Sequence, residues 1–263
     1  MENSFNQLIN FIQEKTGFMC QLYKERPLKR RLRVRMRALQ LNKYDEYYDF
    51  LRKNPNEFKE LVRVLTINLS YFFRNPETFE FLQQNVFPEF KDRSRVIFWS
   101  AGCAGGEEPY SLAILAEQAG ILSKVQIYGT DIDEEALGRA RKGIYNSNAL
   151  QYLSSELIMR YFESEREQFA IKEYIKSRVT FLHHDLFQLP PFPHCDLIVC
   201  RNVLIYLDRK AQRRILVNFN EQLKPTGYLV LGKVELLLGI PEMKLFDAVN
   251  RAEHIYRKLG TGT

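Results

Sequence analysis

Val96-Ile97-Phe98-Trp99-Ser100 is a short apolar run that breaks into Ala101-Gly102-Cys103-Ala104-Gly105-Gly106, with Glu107 and Glu108 following where a helix begins. A second apolar run, Val125 to Gly129, ends in Thr130-Asp131-Ile132-Asp133. Strand, glycine turn, helix, strand, acid is a Rossmann-like opening: the turn admits a ligand close to the backbone, and the acid suits a ribose diol. The spacing Gly102-x-x-Gly105-Gly106 is not the dinucleotide pattern G-x-G-x-x-G. Two carboxylates at the helix start would repel a pyrophosphate by about 1–4 kcal/mol per close charge pair at surface-like dielectric. S-adenosylmethionine has no phosphate and carries an ammonium and a sulfonium, so the same acids help it. Charge therefore favours S-adenosylmethionine over NAD. Acids that merely complement the helix dipole would leave the glycine turn and Asp131 without a reason.

The elements that must position these residues fall into two regions. In the first ninety residues, Phe5, Leu8, Ile9 and Ile12 recur at helical spacing and Gly17 ends that segment. Pro27 starts a second helix through about Gln40, Tyr44 to Lys53 and Pro55 to Leu65 give two more, and Pro76 opens another over Glu77 to Asn85, closed by Pro88. Beyond Asp92 the pattern alternates. Helices are expected from Pro109 to about Ala119, over Glu134 to Lys142 and over Asp208 to Leu223. Further strands are expected at Val179 to Leu182, Asp196 to Cys200 and Tyr228 to Leu231, with a closing strand over Glu253 to Lys258. Buried strands separated by helices mean a mostly parallel sheet covered on both faces. The expected fold class is thus α/β: an all-helical domain over residues 1–90, then a Rossmann-like domain over residues 91–263.

The 263 residues hold 45% apolar and 27% charged side chains, with 19 Phe and 14 Tyr, which excludes disorder. No apolar run reaches the roughly 18 residues of a membrane helix. Met1-Glu2-Asn3-Ser4 lacks the basic and apolar regions of a signal peptide, so a cytoplasmic protein is expected. Cys20, Cys103, Cys195 and Cys200 are scattered without Cys-x-x-Cys, and His183-His184 has no further ligands at short spacing. No metal site and reduced, mostly buried thiols follow. The formal charge is +6, and the stretch from Lys24 to Arg37 carries eight Lys and Arg against Glu25 alone. On a helical wheel Leu28, Leu32, Met36 and Leu39 share one face of helix 27–40, while Arg26, Arg30, Arg33 and Arg37 form a cationic stripe opposite. Such a stripe grips acidic helices, phosphates or anionic lipids.

Four motifs then occur in order. They are Thr66-Ile67-Asn68-Leu69-Ser70-Tyr71-Phe72-Phe73-Arg74, Trp99 to Ser111, Thr130-Asp131-Ile132-Asp133, and Cys200-Arg201-Asn202-Val203-Leu204-Ile205-Tyr206. Together they resemble the motif series of the CheR family, the chemotaxis-receptor glutamate O-methyltransferases, collinearly over nearly the whole chain. The resemblance implies S-adenosylmethionine as cofactor and S-adenosylhomocysteine as product. It implies that Asn68, Ser70 and Arg74 reach the cofactor from the helical domain. Gly102 would line the turn, Glu108 would meet the charged methionine or a nearby polar part, Asp131 the ribose, and Asp185 with Leu186 would flank the adenine. Arg201 and Asn202 would lie at the end of the fourth strand, and Arg74 and Tyr206 are the implied catalytic pair. Three positions depart from the family's habit: Gly105 and Ser70 stand where Thr is common, and Asp185 where Asn is common.

The resemblance also turns the arginine stripe (Arg26, Arg30, Arg33, Arg37) towards the acidic methylation helices of methyl-accepting chemoreceptors, with no nucleic acid and no membrane insertion, in a monomer. Some relatives tether to a receptor tail through a small three-stranded insert bearing a glycine loop. The matching segment here, residues 161–179, holds no glycine, so a reduced insert without tethering is expected. Pro190-Pro191-Phe192 resembles the signature of nucleic-acid amino-methyltransferases, but Leu189 precedes it and it comes before the fourth strand, which argues against base methylation. Methylation of RNA or another acidic macromolecule, and a cofactor-binding adaptor without transfer, are the alternatives.

Overall fold

The computed structural model describes residues 2–66 and 69–260. The chain forms two compact units, Met1–Asn68 with Tyr206–Gln212, and Leu69–Ile205 with Arg213–Thr263.

The first unit holds α1 (Glu2–Thr16), α2 (Glu25–Ala38), α3 (Tyr44–Lys53) and α4 (Glu57–Leu65). Phe5, Leu8, Ile9 and Ile12 of α1 and Leu28, Leu32 and Met36 of α2 are buried, as their 3.6-residue period requires. Leu39 lies just past the end of α2 and is only half-buried. Three helices are tied together by Glu57, which is buried and accepts two hydrogen bonds from Arg35 (2.6 and 2.5 Å) and one from the Tyr47 hydroxyl (2.9 Å). The Glu57 side chain is 6% exposed, so removing it strands the Arg35 guanidinium. A Glu57→Ala variant is therefore expected to lose about 3 kcal/mol of stability, read as a lower midpoint in thermal or urea unfolding. A midpoint equal to wild type would show the pair to be solvated.

The second unit holds α5 (Pro76–Phe81), β1 (Val96–Ala101), α6 (Glu107–Gln118), β2 (Val125–Asp131), α7 (Glu134–Lys142) and β3 (Ile144–Asn146). It continues through α8 (Ser155–Tyr161), β4 (Phe162–Glu165), β5 (Gln168–Ile171), α9 (Glu173–Lys176), β6 (Val179–His183) and β7 (Cys195–Cys200). It closes with the larger part of α10 (Arg209–Gln222), β8 (Leu223–Leu231), β9 (Phe246–Asn250) and β10 (Ile255–Lys258). Seven strands form one sheet in the order β6-β2-β1-β7-β8-β10-β9. The first five are parallel, and β10 runs antiparallel between β8 and β9. The order runs outward from β1 to β2 and β6, then resumes on the other side with β7. The crevice at the carboxyl ends of β1 and β7 is thus the switch point where α/β sheets bind ligands. Every residue of β1 and β7 is buried.

The expected domain boundary at residue 90 is corrected to the neighbourhood of residue 68. Phe79, Leu82, Val86, Phe87 and Phe90 are helical yet belong to the same hydrophobic cluster as Phe98 of β1 and Tyr228 of β8. The ring centroids of Phe87 and Phe90 lie 5.1 and 5.5 Å from that of Phe98. The α-helix proper ends at Phe81, and the chain stays helical through a π turn over Leu82–Val86, which holds Asn85, and a 3-10 turn over Phe87–Phe90 with Pro88 in its first turn. The insert is also corrected. Three short antiparallel strands are present in the order β3-β5-β4, because Ile144–Asn146, outside the expected 161–179, supplies the third. Its β4–β5 hairpin turns at Arg166-Glu167, with Arg166 at φ 57°.

All four cysteines are buried free thiols, and burial pushes each thiol's pKa up, Cys20 and Cys195 to about 12. Among the described residues no group of His, Cys, Asp and Glu is arranged to hold a metal ion, and no helix is long and apolar enough to cross a membrane.

Candidate active site

The turn after β1 is fastened to the end of β2. Gly102 and Cys103 donate their backbone N–H groups to the Thr130 carbonyl (2.8 and 2.9 Å), and Ala104 donates to Oδ2 of Asp131 (2.9 Å). Oδ1 of Asp131 accepts from the Asp133 backbone (2.9 Å), and the Asp131 carbonyl accepts from His184 (3.0 Å). Gly102 has φ 81°, and a Cβ there would stand 2.5 Å from the Val203 side chain in the loop after β7. Both the backbone and the space therefore demand glycine. A Gly102→Ala variant is expected to lose about 1–3 kcal/mol of stability from strain and most of its affinity for S-adenosylhomocysteine. Calorimetric titration checks this, and wild-type affinity would mean that the turn does not face the ligand.

Helix α6 starts at Glu107, two residues earlier than expected, so its first turn presents both acids. They part company. Glu108 turns toward the switch crevice, where its carboxylate accepts from the Ser100 hydroxyl (2.8 Å) and from Arg201 (3.4 Å). Glu107 lies on the other side with Ser70, Gly105, Arg139 and Tyr145, along an open pocket of about 260 Å³. Burial raises Glu107 to about 7, opposed mainly by the backbone at its helix start and by Arg139. Gly105 leaves room there: a Cβ would come 2.8 Å from the Glu107 carboxylate, so any larger residue would press that side chain aside.

The segment carrying Ser70 and Arg74 belongs to the second unit, which corrects the expectation that it reaches in from the helical domain. Its backbone is pinned by Phe72 N–H to the Ala149 carbonyl and by Phe73 N–H to the Ser111 hydroxyl of α6, both 2.9 Å. Phe73 and Asn75 adopt positive φ (51° and 60°), as do Ala104 and Asn202 (48° and 62°). Four non-glycine residues in this conformation, gathered at the loops around one crevice, mark strain held in place by the surrounding hydrogen bonds. Asn68 lies outside the described residues.

Arg201 is buried and its fork is committed: it donates to Glu108, to the Arg74 carbonyl (2.6 Å) and to Oδ1 of Asn75 (2.6 Å), leaving Nε without a partner. The side chain thus ties the loop of Arg74 to the acid of the glycine turn. Arg74 itself donates to the Leu69 carbonyl (3.2 Å) and adds positive charge near Glu108. Asp185 and Leu186 follow β6, the strand beside β2, and both are half-buried; Asp185 accepts from the Phe187 backbone (3.0 Å). Phe192 of the Pro-Pro-aromatic segment stacks on Tyr128 at 4.2 Å and sits edge-on to Trp99. That ring packs against the sheet. Sequence reading missed Glu235, buried at 2% exposure beneath the loop after β7; an acid inside an apolar run was its only signal.

In the first unit Tyr206 is half-buried, with Arg31 stacked 4.3 Å above its ring. Arg31 points inward and donates to the Leu65 carbonyl, and Arg35 is taken by Glu57. Arg26, Arg30, Arg33 and Arg37 are exposed, and among the described residues none of these four forms an ion pair. They line an open groove of about 810 Å³ with Glu25, Lys29 and Val34.

Burial raises the carboxyls of Glu107, Glu108 and Asp131 alike. Three desolvated acids around one glycine turn suit a cationic ligand and disfavour a pyrophosphate. Sheet order, glycine turn and buried acids together define an S-adenosylmethionine-dependent methyltransferase. Residues 3–66 match the CheR methyltransferase all-alpha domain, and residues 68–252 match the CheR methyltransferase SAM binding domain. The chain is 31% identical over 253 residues to a chemotaxis protein methyltransferase of Borreliella burgdorferi, covering 90% of this chain and 89% of the relative. It is 33% identical over 244 residues to that of Salmonella typhimurium (88% and 83% covered) and 31% identical over 241 residues to that of Listeria monocytogenes (91% and 92%). The chain belongs to the CheR methyltransferase family.

Proposed function

We propose that this chain transfers the methyl group of S-adenosylmethionine to glutamate side chains on the cytoplasmic helices of chemoreceptors, forming glutamyl methyl esters in sensory adaptation. The observation that carries the reading is the acid-lined glycine turn at the switch point, in a chain whose family relatives are chemotaxis protein methyltransferases. Bound S-adenosylmethionine supplies an electrophilic methyl on a sulfonium. In this reading Asp131 receives the ribose hydroxyls, Asp185 and Leu186 flank the adenine, and Gly102 admits the cofactor close to the backbone. Glu108 faces the ammonium end, with Ser70, Asn68 and Asn202 as further polar contacts. Arg201 holds Glu108 and the Arg74 loop in register.

A glutamate is already ionised at pH 7, so its attack needs no general base. The protein's task is to align nucleophile, methyl and sulfur and to exclude water, consistent with a site built from carboxylates, arginines and backbone. Arg74 orients the substrate carboxylate or the cofactor through its planar fork, and Tyr206 positions the methyl through its hydroxyl. The exposed stripe of Arg26, Arg30, Arg33 and Arg37 docks the acidic methylation helices. The protein works as a cytoplasmic monomer without receptor-tail tethering, since the β4–β5 turn lacks a glycine loop.

The test mixes the protein with methyl-labelled S-adenosylmethionine and a receptor cytoplasmic fragment, and counts label that mild base releases as methanol. Base-labile label on the receptor establishes the ester. Base-stable label on nucleic acid overturns the reading, as does cofactor binding without any transfer.

A further inference from the structure

The segment Lys233-Val234-Glu235-Leu236-Leu237-Leu238 inverts the usual polarity of a surface loop. Val234, Leu236 and Leu238 are 59%, 71% and 75% exposed, whereas Glu235 is 2% exposed. A buried carboxylate is costly unless fully hydrogen-bonded, and this one is surrounded by main-chain donors from two loops. Oε1 accepts from the backbone of Val203 (2.9 Å) and Leu204 (2.7 Å), directly after β7. Oε2 accepts from the backbone of Gly232, directly after β8. Gly232 leaves no spare room: a Cβ there would stand 2.9 Å from both the Asn202 nitrogen and Oε2 of Glu235. Asn202, held at φ 62°, is the residue whose strained conformation this arrangement maintains.

We propose that Glu235 is a positioning residue for methyl transfer, fixing the Arg201-Asn202-Val203-Leu204 loop against the glycine turn by gathering its backbone amides on one carboxylate. The inference rests on the reading that Arg201 and Asn202 border the cofactor. Glutamine has the same shape but presents an NH2 where acceptors are needed, so it cannot replace the carboxylate. Aspartate keeps the charge on a shorter reach. Burial raises the Glu235 carboxyl to about 7, opposed by the amides of Gly232, Leu204, Val203 and Asn202. The ionised acceptor therefore prevails above pH 7 and is lost as pH falls through it. The other groups facing this point are Cys200 and Arg201 at the end of β7, Glu108 behind Arg201, and His254, whose Nδ1 lies 2.9 Å from the Gly232 carbonyl, while the neighbouring Lys233 is paired with Glu77 and Glu253.

The experiment measures kcat and KM for receptor methylation by Glu235→Gln, Glu235→Asp and wild type, with the folded fraction determined in the same buffer. Folded Glu235→Gln is expected to lose at least tenfold in kcat with KM for S-adenosylmethionine changed less than threefold, and Glu235→Asp to recover part of the loss. A folded Glu235→Gln within twofold of wild-type kcat overturns the proposal. If Glu235→Gln does not fold, wild-type protein labelled at Val and Leu amides decides. The Val203 and Leu204 resonances are expected to titrate near pH 7 together with a fall in kcat below it. Titrating resonances with a flat kcat between pH 6 and 8 overturn the proposal. An Asn202→Ala control separates the two ideas: unchanged activity there means that the loop does not border the cofactor, a failure of the site reading rather than of the Glu235 contacts.

Discussion

An Asp131→Ala variant binds S-adenosylhomocysteine at least about 100-fold more weakly than wild type. Each carboxylate oxygen has two acceptor positions. In this chain Oδ1 accepts from Asp133 N–H and Oδ2 from Ala104 N–H, and the Ile132 amide also draws on the carboxylate. The lone pairs that these amides leave are what a ribose diol would use. Hydrogen bonds to a charged acceptor contribute about 1.5–3 kcal/mol each, so losing two of them costs about 3–6 kcal/mol and accounts for the 100-fold or more. The same substitution frees the Ala104 amide and loosens the glycine turn, so Asp131→Asn is the informative companion. It keeps one acceptor oxygen and the shape, and its affinity is expected to fall between the two. Isothermal titration with S-adenosylhomocysteine measures all three proteins, and thermal unfolding checks that each is folded. Unchanged affinity in Asp131→Ala would remove Asp131 from the ribose site.

The second large effect separates docking from chemistry. Replacing Arg30 and Arg33 together by Glu leaves S-adenosylhomocysteine affinity within twofold of wild type and lowers kcat/KM for a receptor fragment on the order of 100-fold. Both side chains are exposed and neither is committed to an ion pair among the described residues, so the exchange leaves the helix fold intact. Against an acidic helix it turns two attractions into two repulsions, about 2–3 kcal/mol in all at solvent-exposed distances. The wild-type rate also falls steeply as salt rises, because exposed charges are screened beyond about 10 Å at 0.1 M. The variant's residual rate is expected to be nearly independent of salt. Equal methylation by variant and wild type would place the receptor elsewhere on the protein.

The parts of this fold that were legible in the sequence are those governed by short-range periodicity. The helix over Tyr44–Lys53 and the helix over Glu134–Lys142 end where their patterns end. The basic helix buries Leu28, Leu32 and Met36 and exposes Arg26, Arg30, Arg33 and Arg37 because side-chain direction in a helix follows from residue spacing alone. The acids of the glycine turn and Asp131 were readable for a similar reason: a strand end, a turn and a helix start lie close along the chain.

What required the tertiary structure was every choice among partners far apart in sequence. The helical segment before β1 carries no strand signal, yet its aromatics pack on Phe98 and Tyr228 and so place it with the sheet. The short strands β3 and β9 are stabilised by neighbours rather than by their own pattern, so single-strand periodicity is silent about them. Glu107 and Glu108 are adjacent letters, and only the packing of β1 and β7 decided that Glu108 would meet Arg201 while Glu107 turned to the other side. Glu235 carries no motif at all. Its meaning comes from backbone amides some thirty residues away, and such donors leave no trace in side-chain chemistry. Composition and periodicity thus determined the helices, the parallel sheet, the cationic stripe and the acidic turn, because these depend on local spacing and charge. The unit boundary, the division of labour between neighbouring acids and the clamp on the loop after β7 were decided by long-range contacts, whose energies depend on geometry that only the folded chain creates.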